Sequence, residues 1–253
     1  MTRRNDVTEH IRQAHITYFL RGEKENEKFW SRLGGRPDFH KKILLDIGCG
    51  HGSLCVDAAI RGAERVVGID TDPERIDFAA AYLIEKFPDL AGRVEFFCCE
   101  LKDLKEPAFD LILSKDSLEH ILDLPTMMKL LKEYLKPGGR LYVGFGPLFN
   151  SPYGDHRRTR LILPWLHTLL PERFIVKYVN LIGKDHIHSI QDLGLNGLSL
   201  KQYRDVFKHS GLKLVWLGVN VSDHIISRLF SWIRKIGLFR EYFTHNIYAI
   251  FEH

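Results

Sequence analysis

Asp46 lies within a short apolar run, Ile43–Ile47, and Gly48, Gly50 and Gly52 follow at alternate positions. Glycines so spaced make a tight turn whose backbone can come close to a ligand, because no Cβ stands in the way. A second acid, Asp70, ends the next apolar run, Val66–Ile69, 22 positions (70 − 48) after the first glycine. About 20 is the separation expected of a carboxylate that takes ribose hydroxyls in a strand–turn–helix–strand unit. These are the parts of a nucleoside site, and Asp46 gives it a sign. A buried carboxylate beside a diphosphate is repelled, whereas one beside a sulfonium or ammonium is favoured. The third glycine of a dinucleotide turn, Gly-x-Gly-x-x-Gly, is replaced by Ser53.

Thirteen histidines supply imidazoles, the side chain that works as a base near neutral pH. Glu119 and His120 follow the apolar run Phe109–Ser114, and the carboxyl end of such a strand is where an open α/β sheet binds ligands. His156 follows Asp155 in a Gly-Asp-His turn. His120 and then His156 are the candidate bases, and each could equally be a loop residue that only hydrogen-bonds its own turn. His51 sits inside the glycine turn and is placed to meet a nucleoside or backbone rather than a second substrate. His186 and His188 alternate as on a strand, near Asp185 and Asp192, but lack a third ligand of fixed spacing, so no metal is expected. Arg157, Arg158 and Arg160 could grip an anionic group or line a solvated loop.

The elements that must hold these residues alternate between strand and helix. Ahead of the first strand, Ile11, His15, Tyr18 and Phe19 recur at helical spacing, as do Phe29, Trp30 and Leu33, with Gly22 expected to separate two helices. Ser53–Ile60 is a predicted helix with Leu54, Cys55, Ala58 and Ala59 on one face. Asp72 and Pro73 open another, which Pro88 ends. Strands are predicted at Val94–Cys98, Phe109–Ser114 and Arg140–Gly146, with a helix from Asp123 to the Lys136-Pro137-Gly138-Gly139 turn. Ser199 caps a further helix, a sixth strand follows Gly211, and Asn246–Phe251 is a seventh.

The run Asp46-Ile47-Gly48-Cys49-Gly50-His51-Gly52 resembles the Asp-x-Gly-x-Gly-x-Gly motif of the class I S-adenosylmethionine-dependent methyltransferases. Lys115-Asp-Ser-Leu-Glu-His-Ile resembles their fourth motif in small-molecule O- and C-methyltransferases, and Lys136-Pro-Gly-Gly is another family hallmark. The resemblance runs from Ile43 to Gly146 and resumes near Leu200. It implies an α/β fold: a Rossmann-like doubly wound seven-stranded sheet, mainly parallel with an antiparallel last strand; the long segments 147–198 and 221–243 lie outside that minimal fold and read as helical lid insertions. It implies S-adenosyl-L-methionine as cofactor, held by Asp46, Gly48, Cys49, Gly50, Gly52, Asp70, Thr71, Leu101 and Ser114. Glu100 matches the acid that the family sets near the adenine amino group, with Asp103 as competitor.

The organisation expected is one domain over 1–253, with a helical cap (1–42), a cofactor-binding core (43–146), a substrate lid (147–198) and a C-terminal part (199–253) that carries an inserted helix (221–243). In that helix Ile225, Ile226, Leu229, Phe230, Ile233 and Ile236 share a face, with Arg228, Ser231, Arg234 and Lys235 largely opposite. Such a helix suits a lid packing on its own domain, or a peripheral contact with a membrane. The acceptor expected is a small, largely apolar or lipid-like molecule methylated at oxygen. Rival readings are a silent S-adenosylmethionine-binding scaffold and an NAD-dependent oxidoreductase, against which the missing third glycine and Lys-Pro-Gly-Gly turn both argue.

Composition narrows the classes. The formal charge is +4 and the pI about 8.8, with charges scattered rather than blocked, which speaks against nucleic acid and an RNA methyltransferase. Arg3 and Arg4 precede no apolar core, so no secretory signal is expected, and no apolar run approaches ~18 residues. The four cysteines, Cys49, Cys55, Cys98 and Cys99, read as buried free thiols of a cytoplasmic protein. Oligomeric state is not encoded in any motif.

Overall fold

The computed structural model describes residues 2–106, 108–183, 186–222 and 224–253, with side chains from His10 onward. The elements in chain order are α1 (Thr2–Arg32), β1 (Ile43–Ile47), α2 (Ser53–Ile60), β2 (Arg65–Asp70), α3 (Pro73–Lys86), β3 (Val94–Cys98), β4 (Phe109–Lys115) and α4 (Leu124–Glu133). Then come β5 (Leu135–Phe145), α5 (Leu166–Leu169), α6 (Glu172–Ile182), α7 (Leu200–His209), β6 (Lys213–Val219), α8 (Ile225–Ile233) and β7 (Ile247–Glu252).

The seven strands lie in the order β3-β2-β1-β4-β5-β7-β6. β1 pairs in parallel with β2 on one side and β4 on the other, so the chain reverses its direction of travel across the sheet between β1 and β4. That reversal is the point where doubly wound sheets bind ligands. β7 is antiparallel to β6, with a bulge between Leu214 and Trp216. The fold is the seven-stranded, mainly parallel sheet expected.

The chain forms two compact units. Met1–Lys115 with Glu133–Tyr142 is one, and Asp116–Lys132 with Val143–His253 is the other. In the first, Leu44, Leu45, Val66, Val67, Ile112 and Leu113 are fully buried, as parallel strands covered on both faces require. α1 is a single helix, and Gly22 does not break it. Instead Gly22 sits where α1 meets α2: a Cβ there would lie 2.3 Å from Ser53 Oγ. The residue is small for packing, not for a turn. α4 ends at Glu133, earlier than its sequence suggested, and Lys136-Pro-Gly-Gly opens β5, where Lys136 Nζ pairs with Asp110 at 2.9 Å. β3 is an edge strand, so Cys98 is exposed and Cys99 only half-buried, which corrects the expectation of four buried thiols. Cys49 and Cys55 are buried.

In the second unit, the rings of Phe145, Tyr203, Phe207 and Phe251 pack in sequence at centroid distances of 5.0–6.2 Å. The 147–198 insertion has a small core of its own, Ile175, Val179 and Ile187. It also meets the 221–243 insertion: Trp165 lies against Phe230 and Phe243, and its Nε1–H donates to Tyr242 O at 2.9 Å.

Candidate functional site

In the first unit the carboxyl ends of β1, β2 and β4 converge. Register sets Ile47 beside Ile69 on one side and Ser114 on the other. Gly48, Gly50 and Gly52 all hold positive φ (69°, 54° and 80°), a region open to glycine at little cost. The Gly48 and Cys49 N–H groups donate to Ile69 O at 2.9 and 3.0 Å, which ties the turn to β2. Asp70 finishes the tie. Its Oδ2 accepts from Gly50 N–H at 2.9 Å and its Oδ1 from Asp72 N–H at 3.0 Å. Each carboxylate oxygen keeps a second lone pair, so Asp70 can shape the turn and still take a diol. Its role in holding the turn has no signal in the sequence pattern.

Asp46 is buried with Cys55, whose S–H donates to Asp46 Oδ2 at 3.4 Å. Burial pushes its carboxyl up to about 6, only partly offset by the Cys55 bond and the nearby Lys115 charge. A desolvated carboxylate of this kind gains most from a cationic partner. Ser114 is buried and its Oγ has no hydrogen-bond partner. A glycine cradle, an orphaned hydroxyl and a buried acid fit a small cationic nucleoside ligand. Glu100 is exposed just beyond β3 and pairs with Lys102 at 2.8 Å, while Leu101 beside it is buried. Thr71 follows Asp70 directly, and its carbonyl faces the Cys98 thiol at 3.8 Å.

His51 is covered by α1. Its Nε2 lies 2.7 Å from His15 Nδ1, and its ring stands against Tyr18 and Phe78. Burial, helped by His15, lowers its pKa to about 4, so the imidazole is neutral at neutral pH. Lys115 Nζ donates to the buried Asn26 on α1 at 2.6 Å. Neither His15 nor Asn26 was a sequence candidate, because a lone polar residue on a helix carries no motif.

The second unit brings His120 and His156 together. Their rings meet edge to face at 5.2 Å, and Glu119 joins them: one ligand-type atom from each of the three lies within 4.8 Å of the others. Backbone carbonyls orient both imidazoles. His120 Nδ1–H donates to Gly194 O at 2.8 Å, which leaves the lone pair of the neutral ring on Nε2. His156 Nε2–H donates to Pro147 O at 3.0 Å and leaves Nδ1 as the lone-pair nitrogen. Burial lowers the pKa of His156. The residue holds φ +53°, a strained conformation for a non-glycine residue at about 1–2 kcal/mol. Glu119 accepts from Gly146 N–H at 3.4 Å through one oxygen, and the other has no partner. Burial, with the Asp116 charge next in weight, pushes its carboxyl up to about 8.

Asn196 clamps this turn. Its N–H donates to Glu119 O, its Nδ2 to Leu118 O at 2.8 Å and Ile121 O at 3.2 Å, and its Oδ1 accepts from the Tyr203 hydroxyl. Asp155, adjacent to His156, does not orient it, for its carboxylate accepts from Thr159. The arginines of the 157–160 cluster mostly satisfy carbonyls: Arg158 donates to Leu193 O and Gly194 O, and Arg160 to Ile182 O at the end of α6. Arg157 stacks over Tyr153. His186 and His188 are exposed, Asp185 lies outside the described residues, and Asp192 accepts from the His188 and Ser189 N–H groups. A divalent cation would be held by Glu119, His120 and His156 rather than by that pair.

The model of the family described as "Methyltransferase domain" matches residues 39–145. The human mitochondrial ubiquinone biosynthesis O-methyltransferase is 36% identical over 113 residues, which are 43% of this chain and 30% of that protein. Phosphoethanolamine N-methyltransferase 1 of Arabidopsis thaliana is 35% identical over 124 residues, 48% of this chain and 24% of that protein. The chain thus spans less than a third of either. Among solved structures, geranyl diphosphate C-methyltransferase from Streptomyces coelicolor, in complex with Mg2+, geranyl diphosphate and S-adenosyl-L-homocysteine, aligns with TM-score 0.61 at 15% identity, over 90% of this chain and 79% of that one.

Proposed function

We propose that the chain is a class I S-adenosylmethionine-dependent methyltransferase, a reading supported by the methyltransferase-domain match over residues 39–145, and that it methylates the hydroxyl of a small, largely apolar acceptor. The observation that carries the reading is the imidazole pair beside a buried, underpaired carboxyl. A hydroxyl acceptor needs a base, whereas the relatives' names span oxygen, nitrogen and carbon acceptors and leave the element open.

Asp46, the 48–52 turn, Asp70, Thr71, Glu100, Leu101 and Ser114 are the residues assigned to S-adenosylmethionine. When bound, it supplies a methyl carbon activated by a sulfonium. Asp46 meets the positive end, Asp70 takes the ribose diol, and the Ser114 hydroxyl acquires the partner it lacks. His120 accepts the acceptor's hydroxyl proton at Nε2, with Gly194 O holding the opposite nitrogen and stabilising the imidazolium that forms. His156 is the alternative base through Nδ1. Glu119, kept neutral by burial, can donate a hydrogen bond to the reacting oxygen.

A second reading has a specific observation behind it. The three side chains that approach within 4.8 Å could bind a divalent cation through Glu119's partnerless oxygen, and a bound metal would acidify the acceptor hydroxyl directly. The test is methyl transfer from labelled S-adenosylmethionine to a panel of apolar phenols and alcohols, before and after chelation. Chelator-resistant transfer abolished by His120→Ala supports the imidazole base. Loss on chelation with rescue by added metal supports the cation. Transfer only to amines or carbon acids refutes oxygen, and cofactor binding without turnover on any acceptor refutes catalysis.

A further inference from the structure

The sequence of α8 leaves two arrangements open for the apolar stripe of Ile225–Ile236, packing on its own domain or contact with a membrane. In the fold, Ser227 is 5% exposed, with Oγ 3.3 Å from His245 Nε2. Arg234 is half-buried and its Nε–H donates to Thr244 Oγ1 at 2.9 Å. Of the apolar set, Phe230 packs within the Trp165–Phe243–His245 ring cluster. Ile225 (77% exposed), Leu229 (53%) and Trp232 (66%) point outward, and Leu238 (78%) in the turn that follows does the same. The adjoining 161–170 segment adds Ile162 (84%) and Leu169 (74%).

An outward apolar face of this size marks an interaction surface. Its charge says which kind. Over 225–242 the sequence has four basic side chains and one acidic one. Arg228, Lys235 and Arg240 are exposed, while the acid, Glu241, is taken up by Asn150 Nδ2 and Leu200 N–H. A water-filled nucleic-acid groove would not favour Trp232 and Leu229, and a plain apolar partner would not favour a cationic border. The combination of inserted aliphatic and aromatic side chains with flanking Arg and Lys is that of an interfacial helix. No described helix is long and apolar enough to cross a membrane. We propose that the outward face of α8 and the turn after it dock in the plane of an anionic lipid bilayer, with Ile225, Leu229 and Trp232 in the acyl boundary and Arg228, Lys235 and Arg240 on the headgroup phosphates.

The test is co-sedimentation of the full chain with phosphatidylcholine vesicles, with and without about one part in three of phosphatidylglycerol. Binding should need phosphatidylglycerol and weaken as salt rises. Trp232→Glu, and separately Leu229→Glu, should weaken it about tenfold or more. Arg228→Gln and Lys235→Gln should each weaken it about fivefold. Because all four side chains are exposed, melting temperature and S-adenosylhomocysteine affinity should stay at their wild-type values. Absence of vesicle binding overturns the proposal, as does binding that the Trp232 and Leu229 variants leave unchanged. So does a dimer in solution that Trp232→Glu dissociates, since a second copy would then cover the face. Equal, salt-insensitive binding to pure phosphatidylcholine overturns the assignment of the basic residues. No catalytic residue enters the test, so its failure leaves methyl transfer standing.

Discussion

Asp46→Asn tests the electrostatics of the nucleoside site most directly. The Asp46 carboxyl titrates at about 6 in the fold against 3.8 ordinarily, with burial the dominant cause. The folded pKa is raised, so the sign is unfavourable to the ionised form. The penalty is absent well below pH 3.8, develops as pH rises, and is complete above about 6. From the two values it amounts to roughly 0.5 kcal/mol at pH 4 and roughly 3 kcal/mol at pH 7. Asparagine cannot ionise. The stability of Asp46→Asn minus that of the wild type should therefore climb by about 2–2.5 kcal/mol between pH 4 and pH 7, whatever constant offset the lost Cys55 bond introduces. Urea unfolding of both proteins across that range measures it, and taking the difference cancels His51, whose lowered pKa acts in the opposite direction. The same carboxyl should link pH to ligand. S-adenosylmethionine should bind the wild type about tenfold more weakly at pH 5 than at pH 7, because only about a tenth of Asp46 is ionised at the lower value. Asp46→Asn should bind weakly at both. A stability difference that stays flat with pH, or a wild-type affinity that does, refutes the assignment of Asp46 to the ligand's positive end.

Asp70→Ala should weaken S-adenosylhomocysteine binding through the loss of two charge-assisted ribose bonds worth about 1.5–3 kcal/mol each, and unchanged affinity in calorimetry would refute that role. It should also lower stability by about 2 kcal/mol, since the carboxylate holds Gly50 and Asp72 N–H groups. His120→Ala should reduce turnover by ~10²–10⁴ with cofactor affinity retained, and if His156→Ala does so instead, the second imidazole is the base. Asn196→Ala should lose about 2–3 kcal/mol in urea unfolding, because it leaves the Tyr203 hydroxyl and the Leu118 carbonyl unserved. Gly22→Ala should destabilise the chain despite a gain of about 1 kcal/mol in helix propensity, and a rise in melting temperature would show that α1 can shift away from Ser53.

Local patterns made the fold legible. Five short apolar runs, and helices opened by Asp72 and Ser199, correspond to the observed elements. The antiparallel run of the last strand came from family resemblance, because no strand carries its neighbour's address. Where the sequence misled, longer-range packing was the reason. Gly22 resembles a break until α2 is beside it. Cys98 belongs to an apolar strand, and only the position of β3 at the sheet's edge exposes it. For α8, periodicity located an amphipathic helix and left open which side its apolar face would take; Thr244 and His245 on the following segment draw in Arg234 and Ser227. In the candidate site, glycines and acids announce themselves by spacing. Asn196 and the Gly194 carbonyl act from 74 to 78 positions away from the residues they hold, and no local pattern reports them.

The uneven burial of the thiols makes the protein its own labelling scaffold. Cys49 and Cys55 are sealed in the core with pKa values raised by burial, and Cys99 is half-covered with its thiol also raised, while Cys98 stands exposed on β3. Thiol-reactive probes select the accessible sulfur. A maleimide fluorophore used in slight deficit should therefore attach at Cys98 without any engineered cysteine. Its anchor would lie 3.8 Å from the Thr71 carbonyl and two positions before Glu100, at the rim assigned to the adenine. Nucleoside binding would then be read as a change in emission, with no acceptor known and no turnover required.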